Sequence, residues 1–174
     1  MHDQGRRPAL LCYDGSDYAR RAIERAAAVL DCGPAVVLTV WESIRPPQLR
    51  HPIPAVAELG REFVRETSQD VVDALDAETA AWAQATAVEG AELARASGFG
   101  ARSAAHRALG RPLERIEGTV WQAVIDIADR EDAGVIVVGS RGRSGVKAVL
   151  LGSVSYGVVH NASQPVLTVP PTDG

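Results

Sequence analysis

Residues 9–41, ALLCYDGSDYARRAIERAAAVLDCGPAVVLTVW, change periodicity twice, and those changes decide the fold. Ala9 to Tyr13 is a continuous apolar run, short enough for a strand covered on both faces. Beyond it Ala19, Ala22, Ile23, Ala26 and Leu30 recur at helical spacing, while Arg20, Arg21, Glu24 and Arg25 take the remaining positions. Ser16 or Asp17 is placed to cap this helix, and Gly33-Pro34 ends it. AVVLTVW, residues 35–41, then reads as a second buried strand. Strand, helix and strand with short connections make a right-handed crossover and a parallel sheet.

The pattern lapses over residues 42–60, where SIRPPQLRHPIPAV carries four prolines and is expected to be a loop. Helical spacing resumes from about Arg61 to Ser97, with Val64, Val71, Leu75, Trp82 and Leu93 assigned to its apolar side. So long a helix is expected to bend or break, and Gly98 and Gly100 stop it. Ala101 to Leu109 alternates weakly and suits a strand with a poor apolar face. GRPLER is either a turn or the start of a helical turn. The next helix is expected from Thr119, capped by its hydroxyl, with Val120, Val124, Ile127 and Ala128 facing inward. AGVIVVGS gives a buried strand, Ser153 to about Ala162 a helix, and PVLTVP a terminal strand bracketed by prolines. The expected fold is a doubly wound α/β sheet of five strands with helices on both faces. One domain spans 1–174, with a flexible N-terminus at 1–7 and a tail at 171–174.

Composition bounds the function. With 46% apolar and 23% charged residues the chain reads as globular, neither membrane-embedded nor disordered. A formal charge of −4 argues against nucleic acid as the main partner. ALLCY is too short for a secretory core or a membrane span, and two cysteines are too few for a disulfide framework. A cytoplasmic protein is the expectation. Cys12 is read as a small core residue, and Cys32 is given no role.

In doubly wound sheets, ligands sit beyond the carboxyl ends of the strands. Two features land there: YDGS after the first strand, and VVGSRGRSGVKAVLLGSVS, residues 137–155, after the fourth. Glycines let backbone amides approach an anion, and Gly152, Ser153 and Val154 open a helix whose free amides favour phosphate. The hydroxyls of Ser153 and Ser155 are expected to add two donors. There is neither a Walker triplet nor a Gly-x-Gly-x-x-Gly fingerprint.

The spacing Gly139, two residues, Gly142, nine residues, Gly152-Ser153 resembles the ATP-binding members of the universal stress protein family. Residues 8–41 and 119–170 carry the resemblance. It implies a Rossmann-like sheet in the order 3-2-1-4-5, ATP with Mg²⁺ across the crossover ends, and a homodimer through the C-terminal strand. By position, Asp14 would contact the nucleoside and Val40 would meet adenine through its backbone. Val138, Gly139 and Gly142 would line the ribose and first phosphates, and Gly152, Ser153, Val154 and Ser155 would hold the rest. A carboxylate at Asp14 fits only by hydrogen-bonding ribose or base, or with a divalent ion screening it.

Two departures stand out. RPLERIEG before Thr119 implies a misregistered third-strand end or an insertion, and the proline-rich loop lies where it would cover or obstruct the adenine site. Taken singly, Gly152 is a helix-start glycine, Ser153 an N-cap and Asp14 a turn residue. Arg141, Arg143 and Lys147 read equally as phosphate attractors and solvated charges. His106 and His160 lack partners at metal spacing, and Trp41, Trp82 and Trp121 read as packing residues. No nucleophile–base constellation stands near the loop, so a binding protein with slow incidental ATP turnover is expected, and the resemblance implies a dimeric stress-response regulator. The alternatives are a ligand-free dimeric scaffold and an ATP-using enzyme of the adenylating type, whose Ser-Gly-Gly-x-Asp-Ser loop is absent.

Overall fold

The computed structural model describes residues 6–42, 61–108, 119–141 and 151–170, the side chains of 61–69, 72 and 119 apart. In chain order the elements are β1 (Ala9–Cys12), α1 (Asp17–Val29), β2 (Pro34–Glu42), α2 (Arg61–Ala96), β3 (Gly100–Ala108), α3 (Thr119–Arg130), β4 (Val135–Gly139), α4 (Ser153–Asn161) and β5 (Val166–Val169). All strand pairs are parallel, and the sheet order is β3-β2-β1-β4-β5. The doubly wound reading holds.

Alternation along the three inner strands explains their unbroken apolar runs, since each strand feeds two cores. Leu11, Val37 and Val137 face α1 and α2, with Ile23 and Ala91. Leu10, Val36, Leu38, Ile136 and Val138 face the other layer, with Val124, Ile127 and Val158 of α3 and α4. The α1 stripe is as expected: Ala19, Ala22, Ile23 and Ala26 are buried, and the Ser16 hydroxyl accepts the Ala19 N–H at 3.1 Å.

α2 corrects the sequence reading in two ways. It is one helix of 36 residues, without the expected break. Of the side assigned inward, Leu93 does pack against the core, but Val71 is 54% exposed and Leu75 and Trp82 are each 40% exposed; the Val64 side chain lies outside the described residues. The buried face is Ala83, Ala87, Gly90, Ala91 and Ala94. Small side chains let the helix axis approach the sheet, where Tyr13 and Val37 supply the bulk. A Cβ on Gly90 would lie 2.6 Å from Tyr13 Cδ1 and 2.8 Å from Val37 Cγ1. The helix ends in a Schellman turn: Gly98 has φ +105°, its N–H donates to Arg95 O, and the Phe99 N–H donates to Ala94 O.

β3 pairs with β2 in unbroken register from Pro34↔Gly100 to Glu42↔Ala108, so no misregister occurs over that length. Residues 109–118, with the expected insertion, lie outside the described residues, as does the proline-rich loop at 43–60. The Trp41 ring lies under the Arg107 guanidinium at 5.4 Å, and Arg107 reaches Asp76 Oδ2 at 3.2 Å. That contact ties the end of β3 to α2. Among the described residues, no helix is long and apolar enough to cross a membrane.

Candidate functional site

A cleft of about 330 Å³ opens at the carboxyl ends of β1, β2 and β4. Its back is the end of β1, with Cys12, Tyr13 and Asp14. One side is built by β2 and α3 through Leu38, Val40, Val120 and Val124. The other is built by the end of β4 and the start of α4, through Val138, Gly139, Arg141 and residues Gly152 to Ser155. Eight of the nine residues singled out in the sequence therefore line one cleft: Asp14, Val40, Val138, Gly139, Gly152, Ser153, Val154 and Ser155. Gly142 lies outside the described residues, with Arg143 and Lys147. Cys12, Leu38, Val120 and Val124 were not foreseen at the cleft.

The α4 side is polar because of how the helix begins. Gly152 is the N-cap, with φ −69° and ψ 166° and no side-chain cap bond. Its own N–H donates to Ser140 O at 2.7 Å, and its carbonyl accepts the Tyr156 N–H at 2.8 Å. The N–H groups of Ser153, Val154 and Ser155 fall in the first turn, before any intrahelical acceptor, and they carry the positive end of the helix dipole. The Ser153 side chain is exposed. Ser155 departs from expectation. Its buried hydroxyl lies 3.1 Å from Ser140 O and 3.0 Å from Gly152 O, so its proton is directed into the protein. What Ser155 offers the cleft is its amide.

The motif glycines differ in what they spare. A Cβ on Gly139 would sit 3.1 Å from Arg141 O and 3.4 Å from Tyr18 O, so the fold itself asks for a small residue there. At Gly152 the dihedrals suit any residue, and the nearest atom to an added Cβ is Ser140 O at 3.6 Å. The described surroundings do not require glycine at 152.

At the back of the cleft, Gly15 turns the chain with φ +80°. The Asp14 Oδ1 accepts the Ser16 N–H at 3.0 Å, and among the described residues no partner is seen for the other carboxylate oxygen. Val40 lies past Leu38, the last β2 residue in register with β1, and lines the cleft. The Tyr13 hydroxyl donates to Glu89 Oε1 at 2.7 Å, and Arg20 donates to the same oxygen at 2.7 Å. This junction fastens β1 to α2 and α1.

Burial lifts the Tyr13 pKa from 10.0 to about 12, with the Glu89 hydrogen bond and charge adding to it. Burial likewise lifts Cys12 from 9.0 to about 12, helped by the Asp14 charge, so its thiol is protonated and unreactive at neutral pH. Both groups hold their protons more tightly folded than unfolded. Their stabilising contribution is intact below the ordinary pKa values and is lost as pH rises through the folded ones. The melting temperature should fall between pH 9 and 12, the window of these two shifts. Tyr13→Phe should cost about 0.5–1.5 kcal/mol at neutral pH and flatten that alkaline fall. An unchanged alkaline limb in thermal melts of Tyr13→Phe would sink the assignment.

The comparisons with known proteins agree with this geometry. The model of the universal stress protein family matches residues 5–170. A universal stress protein of Thermus aquaticus, from the QAH/OAS sulfhydrylase 3′ region, is 33% identical over 160 residues, covering 92% of this chain and 96% of that protein. Universal stress protein MJ0531 of Methanocaldococcus jannaschii is 39% identical over 56 residues, covering 32% of this chain. The chain's sequence match spans about a third of the length of that relative and of MJ0577 from the same organism. The solved structure of MJ0577 superposes with a TM-score of 0.69 at 19% identity, covering 97% of this chain and 98% of that one. A universal stress protein solved in complex with cAMP superposes with a TM-score of 0.52 at 22% identity, covering 94% and 96%. At those identities the two structures speak for the fold. The family match over nearly the whole length, together with the Thermus relative, settles the kinship: the chain belongs to the universal stress protein family.

Proposed function

We propose that this protein binds an adenine nucleotide, ATP in the first instance, and acts as a dimeric regulatory protein rather than a catalyst. The observation that carries the reading is the cleft's polarity. Amides of Ser153, Val154 and Ser155, without a partner among the described residues, stand at one end, and the apolar Leu38 and Val40 stand at the other. A nucleotide has the matching polarity, with phosphates for the helix end and a flat base for the apolar end. The free oxygen of Asp14 lies between these ends, where it accepts from a ribose hydroxyl. The complex of a family member with cAMP supports an adenine ligand.

Mg²⁺ fits only as a companion of the phosphates. Among the described residues no group of three His, Cys, Asp or Glu side chains is arranged to hold a metal. The ion would arrive on ATP and offset the repulsion between its phosphates and Asp14. No described side chain at the α4 end is a general base, so ATP turnover should fall far below the enzyme median of about 10 s⁻¹.

Among the described residues β5 pairs only with β4 and is a sheet edge. Val166, Leu167 and Thr168 are partly exposed there, with no charged residue in the strand to discourage pairing. A second copy of β5, running antiparallel about a twofold, is the natural cover. Calorimetry with Mg-ATP should give saturable binding, with light scattering on the same sample at tens of micromolar giving a dimer. An absence of saturable heat would overturn the nucleotide reading, and a monomer would overturn the dimer.

A further inference from the structure

Of the seven large hydrophobic side chains exposed among the described residues, four lie on α2: Val71, Leu75, Trp82 and Val88. Ala81 and Ala85, also exposed, fall between them. Each stands two residues before a buried alanine, Ala83 or Ala87, a separation of about 200° round the helix. The stretch 71–88 is therefore apolar on the side packed against the sheet and apolar again on the side turned away from it. A surface helix carries its charge on that second side, and a helix apolar on both is ordinarily covered on both.

The charge on α2 says what would cover it. From Glu66 to Ala94 the helix has seven acids and no lysine or arginine. Asp76 is engaged by Arg107 and Glu89 by Arg20, while Asp70, Glu78 and Glu92 are exposed. Glu78 lies one turn from both Leu75 and Trp82, on the same face. A second copy of α2 laid against the first would bring these carboxylates together, and an anionic lipid surface would meet the same repulsion. An amphipathic helix with lysine or arginine beside its apolar seam satisfies the face and its rim together.

We propose that the outward face of α2 docks a basic amphipathic helix of a partner protein. Val71, Leu75 and Trp82 take the partner's apolar seam, and Asp70 and Glu78 take its flanking cations. None of these residues lines the nucleotide cleft, so the contact does not rest on the nucleotide reading.

The experiment follows a labelled peptide of three heptads by fluorescence anisotropy on the full chain. The peptide has leucine at positions a and d and lysine at e and g, and its control has glutamate in place of lysine. The lysine peptide should bind saturably and about tenfold or more tightly than the control. Leu75→Lys should weaken it at least tenfold, with the melting temperature and Mg-ATP binding unchanged, and Leu75→Met should retain it. Val71→Lys replaces Leu75→Lys if that variant proves unstable. No binding of the lysine peptide, equal binding of the two peptides, or full affinity in the folded lysine variant would overturn the inference. So would a self-association of the unmodified protein that Leu75→Lys abolishes in sedimentation, since a second copy would then be the cover.

Discussion

Gly152→Asp is expected to lower ATP affinity at least a hundredfold, about 2.7 kcal/mol, while the melting temperature holds or rises slightly. The position tolerates a side chain, with φ −69° and no atom closer than 3.6 Å to an added Cβ. Aspartate is a favoured N-cap, worth a few tenths of a kcal/mol over glycine, because its carboxylate accepts the first-turn amides and complements the dipole. Those are the donors proposed for the phosphates. The substitution therefore satisfies the helix end internally and sets a negative charge where the ligand's own charge must come. Binding and stability move in opposite directions, which no unfolding artefact reproduces. Calorimetry beside thermal melts decides it, and ATP affinity unchanged in the folded variant would remove the site from α4.

Gly157→Ala is expected to destabilise the protein by about 1–3 kcal/mol, even though alanine is intrinsically the better helix former by about 1 kcal/mol. Gly157 is buried in α4 against α3, and a Cβ there would lie 2.3 Å from Trp121 Cγ and 2.4 Å from Cδ1. Neither the ring nor the helix backbone yields that distance without displacing the layer. At this chain length each kcal/mol lowers the melting temperature by about 2–4 °C. With Trp121→Ala in the background the obstacle is gone, and the same substitution should turn neutral or stabilising by up to about 1 kcal/mol. Denaturant melts of the four proteins in this cycle test the contact. An equal cost in both backgrounds would show that Trp121 is not what excludes the side chain.

Sequence was informative where hydrophobic signal was large. β1, β2 and β4 feed two cores and so read as unbroken apolar runs, and the α1 stripe stands against charged neighbours. α2 was misread because its inner face is alanine and glycine, which carry little hydrophobic signal, whereas its conspicuous Val71, Leu75 and Trp82 point outward. The need for small residues comes from Tyr13 and Val37, remote in sequence and invisible to local periodicity. At the cleft, the glycine spacing pointed to the end of β4 and the start of α4, where Gly139 and Gly152 do line it. Val120 was legible as an inward residue of α3, but its place in the cleft depends on which face of the sheet α3 covers, and that is a property of the whole fold. The Ser155 hydroxyl was assigned to a ligand because nothing local reveals that Ser140 O lies within its reach.

The carbonyl of Ser140 receives the Gly152 N–H and faces the Ser155 hydroxyl, clamping the first turn of α4 to the end of β4. Three N–H vectors are thereby aimed by the folding of the chain and not by the arrival of a guest. For the phosphate of the proposed complex this would be a socket already ordered, with capture limited by encounter and desolvation more than by rearrangement. Rigidity also confers judgement of shape. A planar carboxylate and a tetrahedral phosphoryl group present their oxygens at different spacings, and a socket of the proposed kind would meet the phosphoryl oxygens while a carboxylate left some of its donors unmet.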